Sequence, residues 1–257
     1  MTDPVLVREP RGNVLVLRLN RPEARNALSA ALVSELGLAF EHAEQDPETR
    51  CVVLTGTGDR AFCAGMDLAD FASGAAGDFD PAGAAAFGRF MAGGLTLPVV
   101  GAAQATAVAG GFELLLACDM VVASDQARFG LPEVKRGLFP AGGGVFLGTR
   151  VPLAIALELT LTGDPVDASR AAALGLVNEV VPAGEVLDAA TRLAARIARN
   201  GPLALRATKQ MVRLAVADYA AAQALQDDWQ PKIFGSNDAR EGATAFIEKR
   251  DPVWTGT

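Results

Sequence analysis

The hydrophobic positions in the first two-thirds of the chain alternate between short apolar runs and stretches with helical spacing. The short runs predict strands at residues 5–8, 13–19, 51–54, 99–108 and 120–123. Helical spacing predicts a helix from residue 26 to about 45, with Ser29 as a candidate N-cap, and a shorter apolar helix at 112–118. Strands that alternate with helices are typical of βαβ units, whose parallel sheets are buried on both faces. We therefore expect an α/β fold.

The last third of the chain is predominantly helical in its spacing. From residue 153 onward the apolar positions predict helices, and the final segment predicts one long helix followed by a charged tail. Earlier in the chain, a helix is predicted to begin over 66–71, and the Gly-, Ala-, Asp- and Pro-rich residues 72–84 predict a mobile loop. We expect a core unit over 1–200 and a helical region over 201–257.

The charge balance disfavours nucleic acid as a partner. The 257 residues include 23 Lys and Arg against 30 Asp and Glu, a formal net charge of −7, and no basic block stands out. The most apolar stretch, about 95–124, is interrupted by Pro98, Gln104, Glu113 and Asp119, so we expect no membrane span. The N-terminus lacks the charged and apolar segments of a signal peptide.

The rarest residues narrow the chemistry. The single histidine, His42, lies in a polar stretch and indicates a solvated helix position, so no metal site is expected. The three cysteines are far apart and form no CxxC pair, which disfavours zinc and disulfides. Cys51 and Cys118 adjoin apolar runs and predict buried thiols. Free thiols suit a reducing compartment, and we expect a soluble cytoplasmic protein.

Two glutamates are candidates for acid–base chemistry. Glu113 lies beside an apolar run, where a carboxylate is costly unless it is paired, protonated or used. Burial there would raise its pKa toward neutrality, where acid–base catalysis is efficient. Glu133 follows Pro132 and precedes Lys135 and Arg136, so a surface ion pair is its simpler interpretation when it is taken alone. For Glu113 taken alone, a structural role is as well supported as a catalytic one.

Two loops that contain glycine are candidates for binding an oxygen anion. Gly110 and Gly111 end one strand and open a helix, and residues 64–66 precede another predicted helix. A helix N-terminus offers unpaired N–H groups, and two of these aimed at one oxygen form an oxyanion hole. Each loop taken singly is better explained as a tight turn chosen for packing. The glycines at 142–144 fit neither a dinucleotide-binding nor a P-loop pattern.

Four segments together make the chain resemble the crotonase, or enoyl-CoA hydratase/isomerase, superfamily. They are NRPEARNAL at 20–28, AFCAGMDL at 61–68, AGGFE at 109–113 and FGLPE at 129–133, and the tail at 239–250 is similar as well. Their order and spacing extend the resemblance over essentially the whole chain. It implies a spiral of ββα units followed by a helical trimerisation region, with trimers that often pair into hexamers.

The resemblance also implies a reaction, the syn addition of water to a trans-2-enoyl-CoA. The backbone N–H groups of Met66 and Gly110 would hold the thioester oxygen as it becomes enolate-like. Glu113 would orient and activate the water, and Glu133, or the water it holds, would deliver a proton to the α-carbon. The coenzyme A thioester is the substrate, so no separate cofactor is implied.

The resemblance assigns CoA contacts to segments distributed along the chain. They are Arg25, Ala27, Leu28, Ala64, Asp67, Leu68, Phe246 and Lys249. The last two would reach the CoA of a neighbouring subunit, and residues 20–22 are expected only to pack the first turn. Ala109 and Phe112 depart from the family's pattern, and the bulky Phe112 is expected to alter the acyl pocket. Enoyl-CoA isomerisation and acyl-CoA binding with little catalysis remain open alternatives, and the acyl group is not indicated.

Overall fold

The computed structural model of the chain describes residues 3–67 and 79–257. Its strands are β1 (Leu6–Arg11), β2 (Val14–Leu19), β3 (Cys51–Gly56), β4 (Val99–Ala103), β5 (Ala107–Val108), β6 (Met120–Ser124), β7 (Arg128–Gly130), β8 (Val166–Asp167) and β9 (Glu179–Val181). Its α-helices are α1 (Ala30–Gln45), α2 (Pro81–Met91), α3 (Gly110–Ala117), α4 (Leu153–Thr162), α5 (Ala168–Ala173), α6 (Val186–Ala198), α7 (Pro202–Ala217), α8 (Tyr219–Phe234) and α9 (Asn237–Glu248).

A six-stranded sheet forms the centre of the fold, in the order β1-β2-β3-β4-β6-β9. The first pair is antiparallel, and the other four pairs are parallel. Every residue of β3 and β4 is buried, as expected for strands that are covered on both faces. The α/β prediction is therefore confirmed.

Alternation along the strands divides the core into two layers. In β2, Val14 and Val16 point into a cluster with α6, which also contains Ala190 and Ala194. Leu17 and Leu19 point to the opposite face, in the larger cluster that includes residues of α1, α2 and α3. A period of two residues places neighbouring side chains on opposite faces, so one apolar strand supplies both layers.

The run predicted as one strand over 99–108 is two strands in different sheets. β4 ends at Ala103, and β5 pairs with β7 in a second sheet of order β5-β7-β8. The turn between them is held by Gln104, whose side-chain amide donates to the carbonyls of Gly58 and Ala61. The polar side chain within the apolar run therefore marks the place where the chain leaves the central sheet.

Helix ends follow local capping chemistry. The Ser29 hydroxyl accepts from the N–H of Leu32 and caps α1, which confirms the predicted N-cap. Asp80 caps α2 in the same way, so 81–84 begin a helix and were wrongly assigned to a mobile loop. Met66 pairs with Leu28 in an isolated parallel bridge rather than starting a helix. Asp67 is not helical either, and residues 68–71 of that predicted helix, with residues 72–78 of the loop, lie outside the described residues.

The final segment contains three helices, α7, α8 and α9, in place of the single long helix that was predicted. The short strand β9, which extends the edge of the sheet, was not predicted. Cys51 and Cys118 are free and buried, as predicted. Within the described ranges, no helix is both long enough and apolar enough to cross a bilayer. The division at residue 200 stays a prediction.

Candidate active site

Glu113 lies in the first turn of α3 and is buried, with 6% of its surface exposed. Its Oε1 accepts a hydrogen bond from the backbone N–H of Gly144 at 2.8 Å. Burial raises the pKa of Glu113, while hydrogen bonds from the N–H groups of Gly144 and Gly142 oppose that rise. The carboxylate is therefore desolvated but held in one orientation.

Gly142 leaves the space that the Glu113 carboxylate fills. A Cβ placed on Gly142 would lie 2.6 Å from Glu113 Oε2 and 3.0 Å from its Cδ. No larger residue fits at position 142 unless Glu113 moves, because carbon and oxygen atoms do not approach so closely. The glycine run at 142–144, which fits no phosphate-binding pattern, is thus the support of the buried glutamate.

Glu133 lies in a short 3₁₀ turn, Pro132–Arg136, and is half-buried. Its Oε2 is buried and has no hydrogen-bond partner among the described residues. Lys135 pairs with Asp164 instead, so the simpler interpretation of Glu133 as a partner of that lysine is wrong. Burial raises the pKa of Glu133, and the charge of Glu113 raises it further. The two carboxyl groups are therefore close enough to interact electrostatically.

The two predicted oxyanion donors lie side by side. A Cβ placed on Gly110 would be 3.6 Å from the backbone nitrogen of Met66, and one placed on Gly65 would be 3.1 Å from the nitrogen of Gly110. Within residues 3–67 and 79–257, neither amide donates a hydrogen bond. Gly65 has φ +91, which a side chain would strain. The predicted N–H groups are therefore close together and available.

Ala109, which precedes Gly110, has a backbone conformation that favours glycine. Its φ is 52° and its ψ is −134°. Its N–H donates to the carbonyl of Gly130 at 2.9 Å, which ties the start of α3 to β7. The alanine that departs from the family pattern therefore lies at a strained position beside one oxyanion donor.

The two segments predicted to bind CoA run alongside each other. The N–H of Ala64 donates to Arg25 O at 3.1 Å, and the N–H of Leu28 donates to Gly65 O at 2.8 Å. Asn26, fully buried, donates from its side chain to the carbonyls of Thr57 and Ala61. The sequence therefore folds Arg25, Ala27 and Leu28 against Ala64 and the oxyanion loop.

The other predicted CoA contacts differ in their placement. The Asp67 carboxylate pairs with Arg21 at 2.9 Å, which agrees with a packing role for 20–22. Leu68 lies outside the described residues. Phe246 and Lys249 are exposed near the end of α9, and no described contact joins either of them to Glu113.

A cavity of about 400 Å³ adjoins Glu113. Its lining residues include Met91, Leu116, Gly142, Phe146, Leu147, Arg150, Arg213 and Val216. Phe112 is absent from this lining; it is buried and packs against Phe129, with ring centroids 5.6 Å apart. In α3 the ring of Phe112 faces the core, and the expectation that it alters the acyl pocket stays a prediction.

Sequence reasoning missed the residues that hold Glu113 in place. Gly142 and Gly144 hold Glu113 through backbone atoms, and their only signal was an unexplained glycine run. The contacts through which Arg21 packs, to the carbonyl of Ala27 and to Asp67, were not predicted either. Such backbone contacts leave no side-chain pattern to detect.

The chain matches known proteins over nearly its whole length. The family model described as enoyl-CoA hydratase/isomerase matches residues 9–257. A carnitinyl-CoA dehydratase of Proteus mirabilis is 41% identical over 252 residues, covering 96% of each chain. An enoyl-CoA hydratase of Mycobacterium tuberculosis is 40% identical over 256 residues, covering 97% of this chain and 96% of the relative.

Solved structures are similar over the same length. A crystal structure of an enoyl-CoA hydratase from Mycobacterium tuberculosis has a TM-score of 0.92 and 43% identity, covering 99% of this chain and 100% of that one. A carnitinyl-CoA hydratase from Mycobacterium avium has a TM-score of 0.78 and 41% identity, with both chains covered completely. The chain therefore belongs to the enoyl-CoA hydratase/isomerase family.

Proposed function

We propose that the protein is an enoyl-CoA hydratase that adds water in a syn sense to a trans-2-enoyl-CoA, giving a 3-hydroxyacyl-CoA. The observation that carries the proposal is the pairing of Glu113 with Glu133. Both are withdrawn from solvent, both have raised pKa values, and the charge of one raises the pKa of the other. Two carboxyl groups that share one site can handle the two proton transfers of a hydration.

Their surroundings support different roles for the two glutamates. Backbone N–H groups of Gly142 and Gly144 favour the charged form of Glu113, which suits a base that takes a proton from water. Repulsion by Glu113 favours the protonated form of Glu133, which suits a donor to the α-carbon. The water oxygen bonds to the β-carbon as its proton passes to Glu113, and the proton of Glu133, or of a water it holds, passes to the α-carbon.

The thioester oxygen gains negative charge as water adds. The adjacent N–H groups of Met66 and Gly110 are placed to donate to that oxygen, and removal of one such donor in known enzymes costs roughly 3–4 kcal/mol. The paired segments around Arg25, Leu28 and Ala64 would hold the CoA beside these donors.

Association into a homotrimer or hexamer is part of the proposal. Large apolar side chains are exposed on the C-terminal helices, among them Phe234, Ile247 and Phe246, the last with 86% of its surface exposed. Such patches favour association, and Phe246 and Lys249 would then reach a neighbour's CoA. Light scattering should give three or six times the mass of one chain, and a monomer would contradict it. The buried free thiols support a cytoplasmic location.

Enzyme kinetics test the activity. Crotonyl-CoA and longer trans-2-enoyl-CoA thioesters should lose their conjugated absorbance quickly, with a 3-hydroxyacyl-CoA as product. A 3-enoyl-CoA that is turned over much faster than any 2-enoyl-CoA would favour isomerisation instead. Tight acyl-CoA binding without turnover of any substrate would favour the binding-subunit alternative.

A further inference from the structure

The cavity beside Glu113 carries cations that the hydration reaction does not use. Arg150 and Arg213 line it together with the apolar side chains of Leu116 and Phe146. The same two arginines also line a neighbouring cavity of about 630 Å³, which Glu113 does not line. They therefore lie at the boundary between the two cavities, where a chain that leaves Glu113 would pass.

The charge at this boundary is positive. Asp119 is shared by two cations, Lys209 Nζ at 2.8 Å and Arg213 Nη2 at 2.7 Å. The other terminal nitrogen of Arg213, Nη1, lies against Gly93. A Cβ placed on Gly93 would be 2.5 Å from this nitrogen. The Asp119 carboxylate thus faces two cations, Lys209 and Arg213, even without Arg150. This local excess of positive charge lies in a protein whose net charge is −7.

Arg150 adds a third cation near the single carboxylate of Asp119. Its side chain forms no ion pair or hydrogen bond within the described part of the chain. Partial burial lowers the pKa of its guanidinium and the nearby charge of Arg213 lowers it further, whereas the charges of Cys118 and Asp119 act in the opposite direction. A guanidinium beside a like charge and without an ion pair of its own is stabilised when an anion joins it.

We propose that the physiological substrate is a 2-enoyl-CoA whose acyl chain ends in a carboxylate, and that Arg150 binds this carboxylate with Arg213 beside it. The inference rests on the proposed hydratase function. A planar guanidinium binds a carboxylate through two parallel hydrogen bonds. Leu116, Phe146 and Val216 would contact the methylene groups between the double bond and the carboxylate. A cationic acyl group would be repelled by the same arginines.

The test compares substrates that differ only at the end of the chain. We expect the kcat/KM of trans-2-hexenedioyl-CoA to exceed that of trans-2-hexenoyl-CoA by roughly tenfold to a hundredfold, the range of a charge-assisted hydrogen bond. In Arg150→Gln this ratio should fall toward one, and in Arg150→Lys it should be intermediate. Arg170→Gln is the matched control, because Arg170 is exposed on α5 and should leave the wild-type ratio unchanged.

Three results would overturn the inference: a wild-type ratio of one or less, a ratio that Arg150→Gln does not change, or preferred turnover of the cationic crotonobetainyl-CoA. Calorimetry makes the test independent of turnover. If no enoyl-CoA is hydrated, the proposed function fails, but adipoyl-CoA should still bind more tightly than hexanoyl-CoA in the wild type and not in Arg150→Gln. Equal binding of the two thioesters would refute the carboxylate site itself.

Discussion

Replacement of Gly142 by alanine tests how the catalytic base is held. The added Cβ would lie 2.6 Å from Glu113 Oε2, so the carboxylate must move by up to about 1 Å to reach ordinary contact. Gly142 itself is not in the left-handed region, so the backbone tolerates alanine and the effect comes from lost space. A misplacement of that size costs roughly a hundredfold in rate, or about 2.7 kcal/mol of transition-state stabilisation.

The displaced carboxylate should also titrate differently. The N–H of Gly144 holds Glu113 Oε1 at 2.8 Å and lowers its pKa, in opposition to burial. If the displaced carboxylate loses this hydrogen bond, less opposes the effect of burial, and the pKa of Glu113 rises. The acidic limb of the kcat profile should therefore move to higher pH in Gly142→Ala, because a base works only when deprotonated.

The assay follows the loss of enoyl-thioester absorbance against pH for the wild type, Gly142→Ala and Gly88→Ala. Gly88 is the control, because a Cβ there would meet no atom within 4 Å. We expect wild-type kcat in the control, and a similar melting temperature in all three proteins. A Gly142→Ala enzyme with wild-type kcat and an unshifted acidic limb would refute the proposed support of Glu113.

Three further predictions concern stability. Ala109→Gly should raise the melting temperature. Relief of the strained φ of 52° stabilises the fold by roughly 1–3 kcal/mol, whereas the greater backbone entropy of glycine in the unfolded chain costs only about 0.5–1 kcal/mol. A lower melting temperature than that of the wild type would contradict the strain at Ala109. Asn26→Ala should cost about 3 kcal/mol in urea unfolding, because the carbonyl of Thr57 loses its side-chain donor, that of Ala61 keeps only Gln104, and the N–H of Arg21 loses its acceptor; a loss below about 1 kcal/mol would count against that role. Burial raises the pKa of Glu133 above its ordinary value of 4.5, so this group destabilises the fold as pH rises through its folded-state pKa. Glu133→Gln should therefore be more stable than the wild type at neutral pH and equal to it below about pH 4, and an advantage independent of pH would contradict this.

The elements of the central sheet were predictable because their patterns are local. Runs such as 51–54 are apolar without interruption, and a strand buried on both faces requires that. The break after Ala103 was not predicted, since apolar spacing continues through it and only the polar Gln104 marks it. β9 was missed because its three residues form a strand only by pairing with the edge of the sheet.

The functional site was predictable to the extent that it consists of side chains in motifs. The motifs single out Glu113 and Glu133 as candidates, and burial raises the pKa of both carboxyl groups. What holds Glu113 was not predictable, because Gly142 and Gly144 act through a missing side chain and a backbone N–H. Arg150 also escaped notice, since its position beside Arg213 arises from contacts between distant segments.

Hydration kinetics of a double-mutant cycle test most directly whether Glu113 and Glu133 act as one unit. The initial rate of loss of crotonyl-CoA absorbance would be measured for the wild type, Glu113→Gln, Glu133→Gln and the double variant. We expect the kcat of each single variant to fall roughly a thousandfold. The kcat of the double variant should be little lower than that of the less active single variant. Full hydration by either single variant, or losses that multiply in the double variant, would contradict a shared role.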